Sequence, residues 1–146
     1  MRNPVLVFAL ISTFGASLAT TATAGETVDV YKSPNCGCCS KWIDHLKDAG
    51  FEVRSNNVMD VPAARKQLGM PDRLGSCHTA KVAGYVVEGH VPAADIQRLL
   101  KEKPKAIGIA VPSMPPGSPG MESPKPVPYN TLLVQAGGET SVFAKH

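Results

Sequence analysis

An α/β sandwich with the element order β-α-β-α-β-β-α is what this sequence predicts, and three observations carry that expectation. Short β-branched or aromatic runs alternate with stretches whose apolar residues recur every three or four positions, the two periods that separate strands from helices. Glycine and proline fall at the joins between them. About 120 residues remain once an N-terminal export signal is set aside, enough for one domain with a modest core. Aromatic residues make up 5% of the chain, too few to furnish a second core.

The export signal is read from its three parts. Arg2 supplies the positive start, Val5 to Phe14 is a nearly unbroken apolar run, and Ala22-Thr23-Ala24 has the small-x-small form of a cleavage site. The mature chain then begins at Gly25 and forms one domain over residues 25–146. The apolar run of about ten residues is too short for the ~20 that a membrane-spanning helix needs, and no later run is longer, so a soluble exported protein is expected. Loss of residues 1–24 removes Arg2 alone among the charges and takes the net charge from +3 to +2. The remaining charges are scattered singly, with no basic stripe to grip nucleic acid.

The mature elements follow in order. Val28 to Tyr31 reads as a strand, broken by Ser33-Pro34-Asn35. Trp42, Ile43, Leu46 and Ala49 place a helix over residues 39–49, with Gly50 as its stop. Phe51 to Val58 reads as a second strand. Asp60 and Pro62 start a short helix that Gly69 closes. Val82 to Val87 is read as a third strand, with a turn at Glu88-Gly89 and a short return strand at His90-Val91. Pro92 opens a third helix, with Ile96, Leu99 and Leu100 on one face, and Pro104 stops it. Asn130 to Ala136 and Thr140 to Ala144 flank Gly137-Gly138 as a closing hairpin. With a cysteine loop between the first strand and first helix, this order is the thioredoxin-like arrangement with a hairpin added.

Between Pro104 and Pro128 lie eight of the 13 prolines and three glycines. Unstructured loops longer than about 12 to 15 residues are uncommon in compact domains and tend to be functional or disordered. This one must return the chain to the sheet for the hairpin, so it is expected to pack over something. Met114 and Met121, thioethers on a proline-stiffened backbone, suit a lid that offers soft ligands; the plainer reading is two methionines filling a small core.

The chemistry is concentrated in the cysteines. Cys36-Gly37-Cys38-Cys39 packs three thiols into four residues at a helix start, and the fourth, Cys77, is followed by His78. Cys36 and Cys39 have the C-x-x-C spacing of thiol-disulfide oxidoreductases, and a helix N-terminus favours their thiolates. Cys38 breaks that simple picture. Neighbouring residues entering a helix diverge by about 100°, so Cys38 and Cys39 suit several bridged ions better than one shared ion. Thiolates and thioethers select Cu(I), whereas a structural zinc site wants two separated ligand pairs closing a tetrahedron. The chain offers one triplet plus Cys77-His78. Cys77 as a disulfide partner and His78 as a loop hydrogen bonder remain open readings. His45 reads as a surface residue, Trp42 as core, and His90 and His146 as weak candidates.

Several motifs in order carry a resemblance. Tyr31 to Trp42, Ser76-Cys77-His78-Thr79, Tyr85 to Pro92 and Val111 to Glu122 together resemble the CopG-type periplasmic copper-resistance proteins, a family long catalogued as a domain of unknown function. The resemblance covers nearly the whole mature chain. It implies a thioredoxin-like fold and a multinuclear copper cluster held by Cys36, Cys38, Cys39 and Cys77. His78, Met114 and Met121 match further family positions. It also implies copper tolerance in the periplasm by sequestration or redox conversion of Cu(I) and Cu(II), with copper donor or acceptor proteins as partners. The alternatives are a thiol-disulfide oxidoreductase using Cys36 and Cys39, and a disulfide-stapled binding module. The absence of a proline before the third strand, where redox thioredoxins carry one, favours metal.

Overall fold

The computed structural model describes residues 25–146, and the export signal expected over residues 1–24 lies outside them. One mixed sheet runs in the order β2-β1-β3-β4-β5-β6-β7. Its strands are β1 (Thr27–Lys32), β2 (Glu52–Asn57), β3 (His78–Val82), β4 (Tyr85–Glu88), β5 (Gly108–Ala110), β6 (Asn130–Val134) and β7 (Thr140–Lys145). The helices are α1 (Gly37–Asp48), α2 (Val61–Leu68) and α3 (Ala93–Glu102), with one 3-10 turn at Asp72–Leu74. The expected β-α-β-α-β-β-α core and the closing hairpin are both present. None of the described helices is long and apolar enough to cross a membrane.

Two apolar clusters divide the molecule between the faces of the sheet. Val28 and Val30 of β1, Ala80 and Val82 of β3 and Val87 of β4 meet Trp42 and Leu46 of α1 and Ile96 and Leu99 of α3. Val86, one residue before Val87, points the other way and joins Met70, Leu74, Ala110 and Val134. That alternation is the two-residue period of a strand buried on both sides. Trp42, expected to be core, is fully buried and donates its indole N–H to the Val91 carbonyl at 2.8 Å.

The helix boundaries follow their caps. Asp60 accepts the Ala63 N–H at 2.9 Å to start α2, and Gly69 ends it in the left-handed conformation. The third helix differs, because Pro92 offers no capping side chain. Here the His45 ring Nε2 of α1 accepts the Ala93 N–H at 3.0 Å. His45 is therefore half-buried and stitches α1 to α3, not the free surface residue expected.

Two expectations about strands are corrected. The hairpin turns at Ala83-Gly84, both with positive φ, so β3 starts at His78 and β4 ends at Glu88; His90-Val91 is not a strand. Consecutive positive φ values make the tight turn that matches sheet twist, and alanine in the first position hid it. β5 lies inside the proline-rich region, where the sequence pattern predicts no strand. It pairs parallel to β4, and a Cβ on Gly108 would lie 1.8 Å from the Val86 carbonyl oxygen, so only glycine lets this short strand dock.

Candidate metal centre

The cysteines meet where β1 ends, α1 starts and β3 begins. Cys36 is the N-cap residue of α1 and Cys38 and Cys39 lie in its first turn, with no side chain capping the helix. Cys77 directly precedes β3, which pairs with β1, so Lys32 at the end of β1 lies opposite His78. The sheet register thus carries the Ser76-Cys77 loop to the start of α1. The Sγ atoms of Cys36, Cys38, Cys39 and Cys77 all lie within 4.8 Å of one another. Cys38 Sγ is 3.5 Å from Cys36 Sγ and 3.8 Å from Cys77 Sγ.

Two features depart from the expectation for the triplet. Cys38 and Cys39 do converge on one group, because a 100° divergence acts over only the short reach of a cysteine side chain. Cys36 and Cys39 are joined in a disulfide, leaving Cys38 and Cys77 as free thiols. Cys39 is fully buried, and Cys36 is partly accessible. Burial, with the Cys38 sulfur beside it, pushes the Cys77 thiol up to about 12. A cation takes the place of that proton when a buried thiol becomes a ligand.

The second half of the site is histidine. His90 Nε2 lies 3.0 Å from Cys77 Sγ, and its Nδ1 lies 2.8 Å from the Pro119 carbonyl oxygen. A carbonyl only accepts, so Nδ1 carries the proton and Nε2 turns its lone pair to the sulfur. A metal-binding histidine is oriented by such a bond to its other nitrogen. His90 is fully buried, and desolvation lowers its pKa. The sequence reads it as a weak candidate; in the structure β4 ends at Glu88 and the chain turns at Gly89, which brings the His90 ring against Cys77. Its signal was the Gly-His-Val-Pro run, placed on the wrong side of a turn.

His78 is buried beside them, its Nδ1 3.5 Å from Cys77 Sγ and its ring 4.3 Å from that of Trp42. Burial, and then the neighbouring His90, push it down to about 3, so it stays neutral. Its Nε2 is buried without a hydrogen-bond partner. Cys77, His78 and His90 form a second group of donors that shares Cys77 with the four thiols. His146 lies elsewhere, its Nε2 2.9 Å from Asp95.

The proline-rich segment packs over this corner. A Cβ on Gly120 would stand 2.7 Å from the Cys38 carbonyl oxygen and 3.4 Å from His90 Nδ1. Ser113 N–H donates to the Gly75 carbonyl at 3.2 Å, just before the Cys77 loop. Met114 and Met121 each follow one of these contact residues. Met114 is 45% exposed and so does not fill a core, while Met121 is half-buried.

A single α/β chain thus presents four sulfurs and two imidazoles in one corner under a proline-rich cover, the makings of a soft-metal or redox centre. Residues 74–121 match the family described as a protein of unknown function, DUF411. Copper resistance protein CopG in its form 2 structure is similar, with 44% identity, 84% of this chain and 98% of that chain covered, and a TM-score of 0.80. Its form 1 structure gives 45% identity, 82% and 96% coverage, and a TM-score of 0.78. The chain belongs to the CopG copper-resistance family. No curated protein matches it.

Proposed function

We propose that this protein is a periplasmic copper-resistance protein with a thioredoxin-like fold that holds several Cu(I) ions through bridging Cys36, Cys38, Cys39 and Cys77. The observation that carries the reading is the convergence of four Sγ atoms from two distant segments within 4.8 Å. Thiolates are the donors that Cu(I) prefers, and crowded thiolates bridge ions where they cannot each supply one. His90 Nε2 adds a nitrogen donor, with the buried His78 beside Cys77 and with Met114 and Met121 on the cover segment as further donors. Kinship with copper-resistance proteins at 44% identity favours copper over other soft ions. Copper is cargo here, delivered or collected by other exported proteins.

The Cys36–Cys39 disulfide bears on oxidation state. Opening it takes two electrons and frees both sulfurs as thiolate ligands; in the reverse direction, closing it releases two electrons, which two Cu(II) ions accept in passing to Cu(I). Imidazole tolerates Cu(II) where thiolate favours Cu(I), so the mixed donors suit interconversion of the two states. That same disulfide supports a second reading, in which Cys36 attacks a substrate and Cys39 resolves it.

Anaerobic Cu(I) titration of the reduced protein separates the two. The copper reading expects more than one Cu(I) per chain and a clear loss of stoichiometry in Cys38→Ser; unchanged binding in that variant overturns it. The oxidoreductase reading expects Cys38→Ser to reduce a test disulfide as well as wild type does and Cys36→Ser to fail.

A further inference from the structure

Arg65 and Glu88 form a buried ion pair, 4% and 0% exposed, with Nε to Oε1 at 2.8 Å. Taking two charges out of water is costly, and a pair kept buried on a sheet face is not explained by stability alone. Its remaining bonds show what it holds. Arg65 donates a second N–H to the Ser76 carbonyl at 2.6 Å, and Glu88 Oε1 accepts the Ser76 N–H at 2.7 Å. Both charges therefore grip the peptide groups of one residue, the one before Cys77.

The surrounding glycines make room for this grip. A Cβ on Gly75 would stand 2.9 Å from the Arg65 guanidinium carbon. Gly89, at φ +73, would place a Cβ 2.7 Å from Ser76 Cβ. Glu88 also precedes that glycine and His90, so one carboxylate fixes the Ser76-Cys77 loop to the strand that delivers the imidazole. From the opposite face of the sheet, the pair sets the positions of both donors.

We propose that Arg65 and Glu88 are positioning residues for the centre, clamping Ser76 so that Cys77 Sγ faces both Cys38 Sγ and His90 Nε2 before any metal arrives. The inference rests on the copper reading for its purpose but not for its geometry. Preorganised donors bind metal more tightly than donors that must first be ordered, and loss of such outer support typically lowers metal affinity ~10- to 100-fold.

The test has two arms on the full mature chain. In a Cys36→Ser/Cys39→Ser background only Cys38 and Cys77 remain, and their disulfide equilibrium against glutathione reports how well they face each other without metal. Replacing both charges by apolar residues of similar size, Arg65→Met/Glu88→Leu, removes the clamp without leaving an unpaired charge, so a melting temperature within a few degrees of the parent is expected. The equilibrium constant should fall about tenfold, because two thiols that must first be ordered close less readily than two already held face to face. An unchanged constant overturns the clamp, as does a lower melting temperature with an unchanged constant, which marks a purely structural pair. Should the double variant not fold, Arg65→Lys serves, since one ammonium cannot reproduce the forked bonds to Glu88 and Ser76. A severalfold fall is then expected, and no fall overturns the clamp.

In the second arm, with all cysteines present, Cu(I) competition against a chromophoric chelator should show about tenfold weaker binding in Arg65→Met/Glu88→Leu, and equal affinity overturns the clamp's role in metal binding. Wild-type protein that binds no Cu(I) overturns the copper reading instead, and leaves the glutathione result to decide the clamp.

Discussion

The two walls of the candidate metal centre are built in opposite ways. The helix wall, Cys36 to Cys39, is four consecutive residues at the start of α1, and its chemistry is printed in the sequence. The loop wall, Cys77, His78 and His90, comes from the approach to β3 and from the turn after β4. Those segments are fixed by partly buried polar bonds: Arg65 and Glu88 on Ser76, and the Pro119 carbonyl on His90. A contiguous wall needs only a helix start, whereas a composite wall needs the whole sheet register plus its clamps. Perturbations should therefore remove function from the helix wall one ligand at a time and from the loop wall as a unit.

The strongest test of that contrast is Cys77→Ser. Cys77 Sγ is the one sulfur shared by the four-thiol group and the Cys-His-His group. Its loss should weaken Cu(I) binding more than the ~10- to 100-fold that an outer-shell change causes, measured by chelator competition under anaerobic conditions. A Cys77→Ser protein with wild-type affinity would make the loop wall irrelevant and leave the helix triplet alone as the site.

His90→Gln is expected to act next. Glutamine cannot present an imidazole lone pair to Cys77 Sγ while donating to Pro119, so affinity should fall ~10-fold or more and the copper-loaded absorption spectrum should shift. Cys77→Ser and His90→Gln should also combine to less than the sum of their separate effects, since both break one unit. Additivity would mean that the two residues serve separate sites.

Legibility in the sequence divides along the same line. The triplet, Cys77, Trp42 in the core, the helices with sharp stops at Gly50 and Gly69, and the closing hairpin were all readable, because each rests on local spacing or on a residue with one dominant use. β5 was not, since Gly-Ile-Ala has no period to read and owes its strand to the space Gly108 leaves over Val86. His90 was misplaced because Ala83 adopts a positive φ that sequence assigns to glycine or asparagine, which moved the hairpin turn by five residues. The Cys36–Cys39 disulfide was one of several pairings the sequence allowed, and which pair closes depends on three-dimensional placement.

The cover segment gives a smaller effect that separates contact from conformation. Gly120 and Gly69 have nearly equal φ, +83 and +85, but a Cβ on Gly120 meets the Cys38 carbonyl at 2.7 Å while one on Gly69 meets nothing within 4 Å. Gly69→Ala should cost about 1 kcal/mol from the left-handed backbone alone. Gly120→Ala should cost ~1–3 kcal/mol more, because backbone must shift on both sides, read as a larger fall in melting temperature. Equal falls would show that the cover does not press on the helix wall.

The smallest expected effect is the share of the pH dependence that belongs to neither wall. His45 accepts the Ala93 N–H and so caps α3 only while its Nε2 is unprotonated. Burial lowers its pKa below the ordinary value of 6.5, against Asp48 and Glu122, which raise it. Below about pH 6.5 the unfolded chain therefore binds more protons than the folded one, and stability drops as pH falls through that window while being fully present above it. His45→Gln abolishes this titration, so its melting temperature should fall less than wild type's between about pH 7.5 and 5.5. The buried His78 and His90 are also held below their usual value and push in the same direction, so a residual slope should persist in the variant. A variant slope equal to wild type's would assign the whole dependence to the loop wall and leave the α1–α3 stitch without a protonation cost.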